Sequence, residues 1–164
     1  MLISNKNPTF SELLRSPTLM LAFGFGSGLS PKAPGTMGSL VAIPLWLLLY
    51  QLPVSLYWLV VLAAAVLGIV LCGRAAQKLE VHDHSGIVWD EFVGLWIAMG
   101  FLSPSLGSII CGFVLFRFFD IVKPWPIGWL DKNMQGGMGI MIDDIVAGIF
   151  AACIAYYVSY LGYL

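Results

Sequence analysis

Charge is what this sequence has least of. Only 10% of its 164 residues are Asp, Glu, Lys or Arg, against roughly 25% in an average soluble domain. The net charge of -1 supplies no basic face, which excludes a nucleic-acid partner. Histidine occurs only as His82 and His84 in EVHDHSG, so a zinc site would have to borrow carboxylates. The cysteines, Cys72, Cys111 and Cys153, lie in or beside apolar segments with no CxxC spacing and read as small hydrophobes. The opening MLISNKNPTFSELLRSP lacks the apolar stretch of a cleaved signal peptide.

What fills the chain is apolar: 59% of residues are hydrophobic and mean hydropathy is +0.89. The expected fold is all-α, a polytopic membrane helical bundle with about five spans. A polar, amphipathic segment, 1–18, precedes a single membrane-embedded domain, 19–164. Within the first segment, TFSELLRS suits a short helix with Phe10, Leu13 and Leu14 on one side, ending before Pro17. Residues 19–39 start apolar but carry Gly24, Gly26, Gly28, Pro31, Pro34, Gly35 and Gly38. They are expected to form a re-entrant or interfacial loop. The candidate spans are 39–52, 54–73 (continuing helically to about Leu79), 87–102, 105–122 and 140–161. Several fall short of the roughly 20 residues a span needs, and would extend, tilt or thin the bilayer.

Charge then gives topology. The turns QLP and SPS and the tail YLGYL are uncharged. Lys6, Arg15, Lys32, Arg74, Lys78, Arg117, Lys123 and Lys132 all fall toward the other side, which marks it cytoplasmic. Glu12, Glu80, Asp83, Asp90, Glu91, Asp120, Asp131, Asp143 and Asp144 follow them, as do both histidines. The expected arrangement is N-terminus in, C-terminus out, with all ionisable chemistry and the irregular loops on the cytoplasmic face.

Two acidic pairs stand out, Asp90-Glu91 in WDEFVG and Asp143-Asp144 in IDDIVAG. A charge at the centre of a membrane helix costs about 2.5–3.5 kcal/mol on insertion scales. The dipole at a helix N-terminus returns only about 0.3–1 kcal/mol. Gly94 follows Asp90 and Gly148 follows Asp144 at helical spacing, and Ala151, Ala152 and Ala155 extend a small-residue stripe that lets helices approach closely. The pairs, read as opening the third and fifth spans, are expected to face one another. Four converging carboxylates repel unless a cation neutralises them, and hard oxygen ligands suit Mg²⁺ or Mn²⁺. Helix caps or side chains reaching for water explain one pair more readily than two.

Two further stretches could meet an anion. In FRFFDIVKPWPIGWLDK, Arg117 and Asp120 are spaced to pair on a helix, and Pro124 and Pro126 end it. Trp125 and Trp129 suit a headgroup boundary, and Lys123 could meet an anionic headgroup or serve as plain positive-inside anchoring. In SPKAPGTMGS, backbone N–H groups before a helix could cradle a phosphate. Thr36 or Ser39 would serve there, or would simply cap the helix. The GK[ST] ending of a Walker loop is absent.

Taken together, SPKAPGTMGS, HDHSGIVWDEFVG and FRFFDIVKPWPIGWLDKNMQGGMGIMIDDIVAG resemble the phosphatidylglycerophosphatase A family, in order and spacing, over much of residues 24–150. The resemblance implies a Mg²⁺-dependent lipid phosphatase of the bacterial inner membrane. Its substrate would be the membrane phospholipid phosphatidylglycerophosphate, whose terminal phosphate monoester it would remove to give phosphatidylglycerol. Asp90, Glu91, Asp143 and Asp144 would hold Mg²⁺. Lys32, Arg117 and Lys123 would add positive charge, with Thr36, Ser39 and the amides of the Gly35 and Gly137 loops around the phosphate. Water or one carboxylate would be the nucleophile, and Asp120 is a further ligand or general-base candidate; Asp83 is a secondary one. Two rivals are a CDP-alcohol phosphotransferase, though IDDIVAGIF lacks its arginine and distal aspartates, and a small transporter or channel subunit, which would want ionisable groups nearer the midplane.

Overall fold

A computed structural model describes residues 7–81 and 84–164. Lys6, His82 and Asp83, which entered the charge map above, lie outside the described residues. The described residues form helices joined by short turns and contain no strand. In chain order the helices are α1 (Phe10–Arg15), α2 (Pro17–Ala22), a 3-10 segment (Gly24–Leu29), α3 (Pro34–Leu49), α4 (Val54–Leu79), α5 (Trp89–Met99), α6 (Leu106–Val122), α7 (Ile127–Asn133) and α8 (Gly136–Tyr160).

The amphipathic start is fixed by local chemistry. The Thr9 hydroxyl accepts from Glu12 N–H at 3.4 Å, and Glu12 Oε2 accepts from Thr9 N–H at 2.6 Å. This reciprocal capping satisfies two backbone donors that a helix start leaves unpaired. Of the three apolar residues expected on one side, Leu13 is fully buried while Phe10 and Leu14 are exposed. Ser16 caps α2, and Lys78 Nζ donates to its hydroxyl at 2.8 Å, tethering this end to the foot of α4.

Five apolar helices follow, at the places the hydrophobic runs indicate, with lengths that sort them. α4 and α8, at 26 and 25 residues, are long and apolar enough to cross a membrane. α3 and α6 have 16 and 17 residues. α5 has only 11, and rises about 16 Å where a bilayer core is about 30 Å thick. It compensates by position: α5 packs against α3, α4, α6 and α8, and most of its side chains are buried. Its indoles fix the neighbours, Trp89 donating to Ala64 O at 3.0 Å and Trp96 to Ala42 O at 3.1 Å. The outer surface is a belt of exposed Leu, Ile, Val and Phe, including Leu59, Leu62, Val66 and Val70 of α4. A soluble monomer does not carry apolar surface on that scale.

Two expected boundaries are corrected. Residues 19–39, expected as a re-entrant or interfacial loop, are largely helical: α2, the 3-10 segment and the start of α3, with a bend at 30–33. Pro34 occupies the first-turn position where its missing N–H costs nothing. The last span starts at Gly136 rather than residue 140. Glycine is a poor helix former, but here Gly137 is packed so tightly on Ile69 O and Gly73 of α4 that a Cβ would collide. That contact extends α8 by a turn and places Asp143 and Asp144 two turns inside it, so they do not open the helix and gain little from its dipole.

The ends of the bundle differ. At one end Phe101 packs on Tyr156, ring centroids 5.9 Å apart, and Gly107 lies against Leu164. At the other, the feet of α4 and α6 meet the starts of α3, α5 and α8, and the described charges gather there.

Candidate active site

The segment before α5 is pinned, and that pins the first acidic pair. Val88 N–H donates to Ala22 O at 2.8 Å, and Gly86 N–H donates to His84 Nδ1 at 3.0 Å. Asp90 and Glu91 therefore project from the first turn of α5. Asp144 reaches them from α8 because Gly94 and Gly148 let the two helices cross in contact: a Cβ on Gly148 would strike Gly94 O, and one on Gly94 would lie 2.8 Å from Asp144 O. Carboxylate oxygens of Asp90, Glu91 and Asp144 lie within 4.8 Å of one another. Asp90 Oδ1, Glu91 Oε2, Asp144 Oδ2 and Asp143 Oδ1 are buried without a hydrogen-bond partner. Two ionised carboxylates that close repel by about 3 kcal/mol even at an effective dielectric near 20. The α5 dipole does not offset that.

Two cations border the group. Arg117 Nη1 pairs with Asp120 Oδ2 at 2.6 Å, the contact their spacing permits, and lies 3.7 Å from Glu91 Oε1. It also donates to Ser39 Oγ at 3.5 Å. Gly35 makes room for this arrangement, since a Cβ there would collide with Glu91 Oε1. Lys123 Nζ donates to Asp131 Oδ1 and Asp143 Oδ2 at 2.6 Å each, tying the foot of α6 to α7 and α8. Burial pulls the Lys123 ammonium down, but the Asp131 and Asp143 carboxylates outweigh it and hold its pKa above the ordinary lysine value.

These side chains line a cleft of ≈ 350 Å³, with Ala33, Pro34 and Gly35 on one side and Ile121, Met134 and Ile140 among its apolar walls. Six carboxylates (Asp90, Glu91, Asp120, Asp131, Asp143, Asp144) and two cations (Arg117, Lys123) line it, an excess of four acids.

The cleft thus gathers Asp90, Glu91, Asp120, Asp143, Asp144, Arg117 and Lys123. It does not gather every expected residue. Lys32 is exposed and Thr36 half-buried, and neither lines the cleft. Their loop is shorter than the glycines and prolines imply, because α3 has already begun. Nor do Thr36 and Ser39 cap α3, whose N-cap is Ala33. Ser39 is fully buried, donates to Gly35 O at 2.9 Å, and steadies Arg117. Gly137 lies inside α8 against α4, so its amide is not a loop donor to the cleft. The member missed is Asp131. It follows Lys123 by eight residues across Pro124 and Pro126, and only the α7 turn brings the two together.

The chain matches the phosphatidylglycerophosphatase A family over residues 20–159, a span that includes every cleft residue. The chain belongs to that family. Phosphatidylglycerophosphatase A of Escherichia coli strain K12 is 53% identical over 148 residues, covering 90% of this chain and 86% of the relative. The protein of that name from Haemophilus influenzae is 42% identical over 161 residues, covering 96% of this chain and 98% of its own. A Bacteroides thetaiotaomicron protein, provisionally named a phosphatidylinositol-3-phosphatase, is 40% identical over 153 residues, covering 89% of this chain and 92% of its own. No solved structure matches the chain.

Proposed function

We propose that the cleft hydrolyses the terminal phosphate monoester of phosphatidylglycerophosphate, releasing phosphate and phosphatidylglycerol. The observation that carries this reading is the convergence of Asp90, Glu91 and Asp144 within 4.8 Å, inside the span shared with the phosphatidylglycerophosphatase A relatives. The unpartnered buried oxygens of these three residues fit a hard divalent cation, which is the chemistry their donor set suits. Asp90, Glu91 and Asp144 would hold Mg²⁺, with Asp143 beside them. Bound there, Mg²⁺ would neutralise the acids and take up charge developing on the phosphate oxygens.

The remaining residues bind, orient and move a proton. Arg117 and Lys123 bring positive charge to the cleft and are themselves held in place by Asp120, Asp131 and Asp143. In the first turn of α3, Gly35 lines the same cleft, and its N–H has no partner within the helix. Asp120 Oδ2 is held by Arg117 at 2.6 Å and Asp143 Oδ2 by Lys123 at 2.6 Å; Asp143 also keeps a buried oxygen, Oδ1, without a partner. We therefore assign Asp143 as the base. It takes a proton from the attacking water as the new P–O bond forms, and that proton offsets the one gained by the departing glycerol oxygen when the ester P–O bond breaks.

The topology that fits this role is a five-helix membrane domain in a bacterial inner membrane, α4 and α8 crossing fully and α3, α5 and α6 completing the bundle. The lysine- and arginine-bearing end would face the cytoplasm. The test is phosphate release from phosphatidylglycerophosphate by the purified protein, with and without chelator. Release that stops on chelation and returns with Mg²⁺ supports the reading; no release with Mg²⁺ present sinks it. Phosphatidylinositol 3-phosphate belongs in the same assay, because the Bacteroides relative carries that substrate in its name. A preference for it would move the assignment to that lipid.

A further inference from the structure

We propose that the acyl chains of the lipid phosphomonoester leave the cleft sideways, along the seam between α3 and α6. This rests on the hydrolase reading and adds how the substrate lies. α3 and α6 both pack on α5 but barely touch each other. Arg117 bridges them at the head of the cleft, where its Nη1 reaches Ser39. Beyond that bridge, the face of α6 that carries Arg117 continues through Val114 and Ile110, three and seven residues back on one helical side. Both are 55% exposed. Ile121, on the same side of α6, lines the cleft itself and is 68% exposed. Across the seam, Ile43 and Leu47 follow Ser39 at four-residue spacing on α3, and Leu47 is exposed. The track therefore begins in the cleft and runs away from it without a polar side chain.

Among the described residues, three neighbouring seams are filled. Between α6 and α8, Phe119 packs on Phe150 with ring centroids 5.7 Å apart. Between α4 and α8, Gly137 brings the two backbones into contact. On the α3–α4 side, α2 packs on α4 and the 3-10 segment packs on α3, filling that end. A polar cleft continuous with an apolar track matches a molecule with a phosphate at one end and two hydrocarbon chains at the other. A free sugar or glycerol phosphate would leave the track unused.

The test places bulk in the track and reads two substrates. Val114→Trp and Leu47→Trp narrow the seam from opposite sides; Val66→Trp, on the exposed face of α4, is the control. Initial rates are measured on long-chain phosphatidylglycerophosphate in mixed micelles and on a short-chain, water-soluble form of the same headgroup. Each seam variant should lose about tenfold in kcat/KM for the long-chain lipid, the discrimination an apolar pocket draws from a methylene or two, and keep its rate on the short-chain one. Val66→Trp should match wild type on both. Full long-chain activity in both seam variants, or an equal fall on both substrates, overturns the seam. Failure of wild type to release phosphate from either substrate overturns the hydrolase reading instead.

Discussion

On the α7 side of the cleft, Lys123 sits between Asp131 and Asp143, 2.6 Å from each. On the α5 side, Asp90, Glu91 and Asp144 converge with one unpartnered oxygen apiece. The same residue types are thus settled in one half and frustrated in the other. Where each acid has its cation the contact serves the scaffold; three converging acids bordered only by Arg117, 3.7 Å from Glu91, form the arrangement that the proposed cation would complete. Asp143 joins the two halves: its Oδ2 is held by Lys123 while its Oδ1 has no partner, whereas the neighbouring Asp144 lies wholly on the unsettled side.

Substitution should separate the halves in sign as well as size. On the proposed reading Asp90→Asn and Asp144→Asn would each remove a cation ligand, worth several kcal/mol of transition-state stabilisation, so phosphate release should fall about a hundredfold or more. The same changes relieve repulsion, so thermal unfolding without divalent cation should move up. If both variants fold and keep wild-type turnover, the ligand assignment is wrong.

Lys123→Met should behave oppositely. It leaves Asp143 without its cation, and stability should fall by about 2 kcal/mol, less than a fully buried pair loses because Lys123 keeps some contact with solvent. Adding Asp143→Asn in the same chain should recover much of that loss. A double variant no better than the single one would show that Lys123 stabilises by some contact other than this pair.

The smallest effect tests what brings the halves together. Gly148→Ala places a methyl against Gly94 O, and overpacking of this kind costs about 1–3 kcal/mol. Because the displaced helix carries Asp144, turnover should drop alongside the melting temperature. An unchanged Tm would mean that the α5–α8 crossing is not tight at this point.

Much of this was legible in the sequence. Acids stand out in an apolar chain, and the alternation of charged and uncharged turns sorted them to one end before any helix was placed. Glycine spacing after each pair anticipated the Gly94–Gly148 contact. Thr36 read as a site residue because a glycine-rich loop seemed to precede the helix, yet Pro34 starts α3; Lys32 was implied only by the family resemblance and lies exposed outside the cleft. Asp143-Asp144 read as opening a helix because Gly136 and Gly137 are poor helix formers; contact with α4, which no local pattern reports, extends the helix past them. Lys123 and Asp143 are 20 residues apart across a proline-broken turn, and only the fold pairs them.

The most direct test is thermal unfolding of the purified wild type and Asp144→Asn in detergent, titrated with Mg²⁺. A ligand that binds only the folded state stabilises it by about 2.7 kcal/mol at a hundred times its Kd. The wild type should therefore rise in Tm with Mg²⁺ from a lower metal-free value, and Asp144→Asn should start higher and respond little. Equal Mg²⁺ stabilisation of both proteins would contradict a cation held by Asp90, Glu91 and Asp144.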